Sequence, residues 1–193
     1  GLATSQEWRE GPLYTQNSPL KCGKGSMYEG GIRVPFMVKW NGVVKPDTRN
    51  NTSIMIEDLF PTLLHMAQVN DYKVPQILDG KDMVPLLEGK NEAEFNKRSI
   101  IWNFPNIWGN TGPGINLNCA IRQGDWKLIY NYETGEKELY NIPQDIGENN
   151  NLAHANPSKV KELSSILGKK LRQMNAQRPV VTATSKPCAW PDE

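Results

Sequence analysis

The apolar positions of this chain change period about halfway along it. In the second half, Val160, Leu163, Ile166, Leu167, Leu171 and Met174 recur at helical spacing, which puts them on one stripe of a helix. Asn156-Pro157 precedes that stripe, and an asparagine N-cap followed by proline at the first helical position marks a helix start. Upstream, Ile100–Phe104, Cys119–Arg122, Trp126–Tyr132 and Lys137–Tyr140 read as strands. The links Gln123-Gly124-Asp125 and Glu133-Thr134-Gly135-Glu136 are short and carry glycine, as hairpins require. A four-stranded antiparallel sheet with the helix on one face buries both apolar stripes.

The first half is organised differently. Residues 1–31 are polar and rich in turn formers and read as loop. Val34 to Trp40 is a nearly continuous apolar run, which suits a strand buried on both faces of a parallel sheet. Asp58 is placed to cap a helix whose face is Leu59, Leu63, Met66 and Ala67. Pro61 falls in its first turn, where a missing N–H is no loss. Asp79-Gly80 makes a turn, and a short helix follows to about Leu87. Residues 105–116 read as a long loop, and the proline-bearing tail from Arg178 to Glu193 as extended chain. The expected division is 1–95, 96–176 and a tail 177–193. The buried strand at 34–40 would need neighbours that the chain does not obviously supply, so the first half should expose apolar surface.

Composition narrows the function classes. With 22 basic against 21 acidic side chains, the net charge is +1, which removes the electrostatic case for a nucleic-acid or membrane-surface partner. No run approaches the roughly 18 apolar residues of a membrane span. Of three cysteines at least one is unpaired within the chain, leaving either free thiols or a single disulfide.

The candidate chemistry lies in Gly23-Lys24-Gly25-Ser26-Met27-Tyr28-Glu29-Gly30-Gly31-Ile32-Arg33-Val34-Pro35. Glycines let a backbone turn tightly against a ligand, and a lysine on such a turn suits a tetrahedral oxyanion. The spacing is not that of a Walker loop. Read alone, Lys24 is better explained by a solvated lysine on a loop, since glycine-flanked lysines are common. Glu29 and Arg33, four apart, read as a structural pair. His65, on the helix from Asp58, and His154, in a polar loop, read as surface residues. No cluster has zinc-ligand spacing.

This stretch closely resembles a motif of the arylsulfatase family, in which a Gly-Lys-Gly turn leads into Tyr-Glu-Gly-Gly-Ile-Arg-Val-Pro. The resemblance continues in order through Phe36 to Pro46, Asp58-Leu59-Phe60-Pro61-Thr62-Leu63, Asp79-Gly80 to Leu87, Ala120 to Ile129, Glu138 to Asn141 and Glu148 to Ala153. It implies an alkaline-phosphatase-like α/β fold whose C-terminal part this chain is, ending in a small α+β domain of antiparallel sheet plus helix. It also implies sulfate-ester hydrolysis, with Lys24 contacting the sulfate. A hydrated formylglycine would attack sulfur, calcium and basic residues would hold the oxygens, and a general acid would help the alcohol leave.

The family's Cys-x-[Pro/Ala]-x-Arg motif, source of the formylglycine, is absent: Cys22, Cys119 and Cys188 each have other followers, and no serine fits. The family's Asp-Asn calcium ligands would stand just before residues resembling Gly1 to Ser5. Calcium and formylglycine are therefore implied without their residues, and the isolated chain is expected to be inactive. Asp145 and Glu148 resemble the family's turn before the last helix rather than a calcium loop.

In the loop from Trp102 to Gly109, Trp102, Asn103 and Asn106 are candidate substrate contacts, since rings stack on sugars and amides bond hydroxyls. Related sulfatases often carry histidines there; this chain has Asn103 and Asn106 instead. The packing alternative for Trp102 and Phe104 stands beside that reading. Implied partners are a sulfated small molecule or glycan and the missing N-terminal part of the same fold. The implied location is periplasmic, secreted or lysosomal. Two other readings stay open: a phosphodiesterase or phosphonate monoester hydrolase of the same superfamily, and a non-catalytic glycan-binding module.

Overall fold

The computed structural model describes residues 17–69, 71–90, 92–106 and 114–193. Its helices are α1 (Glu29–Ile32), α2 (Leu59–Met66, entered through a 3₁₀ turn at Ile56–Asp58), α3 (Val84–Leu87), α4 (Glu92–Asn96) and α5 (Pro157–Gln173). The strands are β1 (Ser99–Phe104), β2 (Asn118–Gln123), β3 (Trp126–Asn131), β4 (Lys137–Asn141), β5 (Val180–Val181) and β6 (Lys186–Pro187). Two compact units form, one of Gly1–Pro35 with Ser99–Glu193 and one of Phe36–Arg98.

In the larger unit, β1 to β4 make an antiparallel sheet in chain order. The β2–β3 hairpin closes on the pair Gln123↔Trp126, leaving Gly124 and Asp125 as its turn, with Gly124 at φ +57°. Positive φ is the backbone setting such tight turns demand. Side chains alternate between the two faces, and the faces differ in kind. On one, Ile101, Cys119, Ile121, Leu128, Tyr130 and Leu139 pack against Leu163, Leu167 and Leu171 of α5. This is the sheet-plus-helix domain that the periodicity predicts. On the other, Trp102, Ala120, Ile129 and Tyr140 pack against Met27 and Tyr28, and Lys127 stands fully buried among them. Residues 17–35, expected with the first half, thus belong to the sheet unit.

Three local expectations change. The tail is not simply extended: β5 and β6 pair as a short hairpin, and Cys188 and Trp190 pack on the α5 core. Arg178 sits over the Trp190 ring, 4.1 Å from its centre, and donates to the Cys188 carbonyl at 2.7 Å. Gly168 of α5 makes room for this return, because a Cβ there would collide with the Asp192 carboxylate. Asn156 does not cap α5 with its side chain, which donates to the Leu152 carbonyl at 3.1 Å. Met174 lies past the end of the buried stripe and is exposed.

In the smaller unit, Met83, Leu86 and Phe95 form the core, with Ile54, Leu59 and Leu87 against it. Asp58 does not cap α2. Its buried carboxylate takes both Arg98 terminal nitrogens at 2.6 Å and the amides of Met55 and Lys81 at 2.7 and 2.8 Å. That anchor turns Pro61 and Thr62 inward and leaves Leu63 and Phe60 exposed, in place of the expected Leu59/Leu63 face. Burial alone would raise the Asp58 pKa, but the Arg98 hydrogen bonds and charge, together with the bonds from the Lys81 and Met55 amides, outweigh it and hold the carboxyl below its ordinary range.

The run from Val34 to Trp40 is not a strand. Val34 is 76% and Met37 91% exposed. A strand needs a ladder partner for its backbone groups, and among the described residues none pairs with this run.

Candidate functional site

The sequence from Lys21 to Arg33 folds as a tight loop followed by α1, laid on the face of the sheet opposite α5. Its compactness comes from glycine. A Cβ on Gly30 would meet the carbonyls of Lys21 and Cys22, and one on Gly31 would meet those of Ser26 and Gly23. The pair therefore lets loop and helix start touch backbone to backbone. Gly30 N–H donates to the Lys21 carbonyl at 3.0 Å, and both the amide and the hydroxyl of Ser26 bond the Gly23 carbonyl at 3.1 and 2.9 Å. Gly25 turns at φ +96°. Lys24, at the head of this turn, is exposed, while Gly23 and Ser26 to Gly30 are buried.

Beneath the loop lies a buried ionic network. Lys127 Nζ donates to Glu29 Oε1 at 3.0 Å and to Glu148 Oε1 at 2.8 Å, and none of the three side chains is more than 1% exposed. The second Glu148 oxygen accepts the Glu29 amide at 2.6 Å. Glu29 Oε2 takes Arg33 Nε at 2.6 Å and Arg122 Nη1 at 3.4 Å. Burial pushes both carboxyls up, but three cations surround Glu29 and hold it below its ordinary value. For Glu148, burial wins and the pKa is raised, because it shares only Lys127 and feels the Glu29 charge.

A second cluster secures the other side of the loop. The Tyr28 hydroxyl donates to Glu138 at 2.9 Å, and the Tyr140 hydroxyl donates to the same carboxylate. Lys21 Nζ donates to the Glu148 carbonyl at 3.0 Å and lies over the Tyr28 ring at 4.1 Å. Burial and the Glu138 charge raise the Tyr28 pKa.

The other sequence candidates fall in different places. Trp102 packs half-buried in the cluster that holds Met27 and Tyr28. Asn103 projects from the opposite face of β1, where its amide donates to the Gln177 carbonyl at 2.9 Å and accepts the Tyr132 hydroxyl at 2.8 Å. Neighbours on a strand cannot line one surface, so Trp102 and Asn103 do not do so. Asn106 is exposed, and residues 107–113 lie outside the described residues. His65 stays on the surface of α2, paired with Asp82 at 2.6 Å, and His154 is exposed. The expected Glu29–Arg33 pair forms. The three cysteines are free.

Sequence reasoning missed Lys127, Arg122 and Glu138. A signal existed: Lys127 lies between Trp126 and Leu128 in a run of strand formers, and its same-face neighbour Ile129 is apolar. What the sequence lacked was knowledge that this face is covered. Among the described residues no group of three or more His, Cys, Asp or Glu side chains could hold a metal ion. The buried carboxylates are already taken by cations, so the residues present do not fit the calcium the resemblance implies.

A model of the C-terminal region of N-sulphoglucosamine sulphohydrolase matches residues 22–177. A protein named sulfatase from Formosa agariphila is 35% identical over 167 residues, 82% of this chain and 30% of that protein. Human arylsulfatase A is 28% identical over 181 residues, 82% of this chain and 33% of its own length. The crystal structure of Ps i-CgsB covers 92% of this chain and 35% of its own, with a TM-score of 0.67 and 26% identity. The same protein, solved in complex with k-i-k-neocarrahexaose, gives a TM-score of 0.64 and 26% identity over 85% of this chain and 34% of its own. The chain thus spans about a third of the length of these relatives. With its Gly-Lys-Gly turn seated on the C-terminal sheet, this chain belongs to the sulfatase family, in the region described by the C-terminal model.

Proposed function

We propose that this chain is part of a sulfuric ester hydrolase, in which Lys24 holds the sulfate group of a sulfated glycan or aryl sulfate. The observation that carries the reading is the Lys24 turn itself. An exposed ammonium stands on a loop pinned by backbone contacts and a buried charge network, within a chain matched by a sulfatase family model. A fixed cation of this kind binds the ester's sulfate oxygens and offsets charge developing on them as the S–O bond to the alcohol breaks. Water supplies the oxygen that remains on the released sulfate. The nucleophile and metal ligands that the family uses are not in this sequence, so Lys24 is proposed as the contribution of this region.

A glycan substrate is favoured over a small aryl sulfate by the neocarrahexaose complex of the similar Ps i-CgsB. The exposed apolar residues Phe60, Leu63 and Ile77 are proposed as surface that another part of the same protein covers. Among the described residues no helix is long and apolar enough to cross a membrane. From the family reading we infer a periplasmic, secreted or lysosomal compartment. The phosphodiesterase reading is not favoured, since the relatives that match are sulfatases.

The test is turnover by the complete gene product of an aryl sulfate, a sulfated oligosaccharide and the matching phosphodiester, with and without Lys24→Ala. Sulfate release that falls at least about 100-fold in Lys24→Ala is the expected result. Hydrolysis of the phosphodiester alone would overturn the assignment.

A further inference from the structure

Loop 22–28, which carries Lys24, is closed at both ends by one residue of the C-terminal sheet unit. At its start, Lys21 Nζ donates to the Glu148 carbonyl at 3.0 Å. At its end, the Glu29 amide donates to the Glu148 carboxylate at 2.6 Å. Glu148 is itself held in an unusual setting, at φ +51°, and its other carboxylate oxygen is taken by Lys127 at 2.8 Å. Lys127 also reaches Glu29 Oε1 at 3.0 Å. One ammonium therefore grips the loop's end directly through Glu29 and both its ends through Glu148.

Lys127 is a rigid origin for that grip. It lies in β3, paired with Arg122 of β2 on one side and Tyr140 of β4 on the other. A buried ion pair is a poor way to gain stability, since apolar residues of the same volume do as well or better. It is a good way to fix geometry, because directional bonds define a single arrangement.

We infer that Lys127 is a positioning residue for sulfate-ester hydrolysis: through Glu148 and Glu29 it sets the place of the loop that presents Lys24. This rests on the reading of Lys24 as the sulfate-holding residue. A shift of the order of 1 Å in such a group costs about 100-fold in rate, so loosening the grip should be felt in catalysis before it is felt in folding.

The experiment is a double-mutant cycle in the complete gene product. One arm is Lys24→Ala. The other removes Lys127 together with both of its carboxylate partners, Lys127→Met with Glu29→Gln and Glu148→Gln, which leaves Arg33 and Arg122 as the remaining charges of the cluster. Readouts are kcat and KM for an aryl sulfate, the inhibition constant of inorganic sulfate, and the thermal midpoint. The expected result is a loss of roughly 10- to 100-fold in kcat/KM with weaker sulfate inhibition, and almost no further loss when the same changes are made on Lys24→Ala. Losses that multiply in the combined variant would show that the network acts independently of Lys24 and would overturn the inference alone. Full activity in Lys24→Ala would overturn the sulfate-holding reading beneath it. Glu148→Gln, which keeps its shape and can still accept from the Glu29 amide, carries the same cycle if the triple variant does not fold.

Discussion

Lys127 and Glu148 meet 2.8 Å apart with neither side chain exposed to solvent. They join the middle of the sheet to the turn after β4, and through Glu29 they join both to the loop that carries Lys24. Removing the ammonium takes the cation from Glu148 in the interior and leaves Glu29 with Arg33 and Arg122 alone. Lys127→Met should therefore cost about 3–5 kcal/mol of stability, and adding Glu148→Gln should recover part of it. Urea denaturation of the set of variants measures both. A single variant as stable as the parent would contradict the burial.

The smaller unit depends in the same way on Asp58 and Arg98. Arg98→Ala leaves Asp58 buried with only two backbone donors, at a cost of about 3–5 kcal/mol. Asp58→Asn should also destabilise, since it removes the charge opposite the buried guanidinium. A change of less than about 1 kcal/mol for Arg98→Ala would place that pair at the level of a surface ion pair.

Acid should unfold the protein through two of these carboxylates. Asp58 and Glu29 have pKa values held below their ordinary 3.8 and 4.5, so their stabilisation is present above those values and is lost as pH falls through the folded-state values. Glu148 has the opposite sign: its pKa is raised from 4.5, so ionising it costs stability as pH rises between 4.5 and the raised value. Denaturation midpoints taken between about pH 7 and pH 3 should fall on the acid side, with a shallower limb in Asp58→Asn. Midpoints that do not change over that range would sink the assignment.

Thiol chemistry separates the cysteines. Burial pushes the Cys119 thiol up to about 12, and its side chain is sealed between sheet and α5, so thiolate and access are both denied. Alkylation under mildly alkaline conditions, read by peptide mass, should spare Cys119 in the folded protein and modify it only after denaturation. Modification at the rate of the half-buried Cys188 would show that the core opens readily.

Hydrogen exchange tests the loss of the expected strand. Amides of β2 and β3 should exchange only on global unfolding, whereas those from Phe36 to Trp40 should exchange early. Equal protection would mean that residues 34–40 are paired after all.

The sheet and α5 were legible because their apolar positions keep strand and helix spacing. Leu163, Leu167 and Leu171 keep helical spacing, and the glycines at 124 and 135 mark the hairpins. The Lys24 motif was legible as a string, and the reason for its glycine pair as crowding could only be supposed. The run at 34–40 misled because apolar content predicts burial, while a strand also requires a partner, and none pairs with it among the described residues. Asp58 misled in a similar way. At a helix start an aspartate reads as a cap, but Arg98, forty residues later, competes for the same carboxylate and wins with two charge-assisted bonds.

What the sequence determined by itself was periodicity and chemistry held in short segments: four strands, the long helix, and the family to which the Gly-Lys-Gly turn belongs. What only the tertiary structure decided was which polar residues are interior. Arg122, Lys127 and Glu138 alternate along their strands as any solvent-facing side chains would. Residues 21–33 lie across that face and turn it into an interior. Once covered, each charge there must find a counter-charge, and the partners of Lys127 come from Glu29 and Glu148, 98 and 21 residues away along the chain. Local pattern carries no trace of such distant pairings, because burial is a property of the packed molecule and not of any segment.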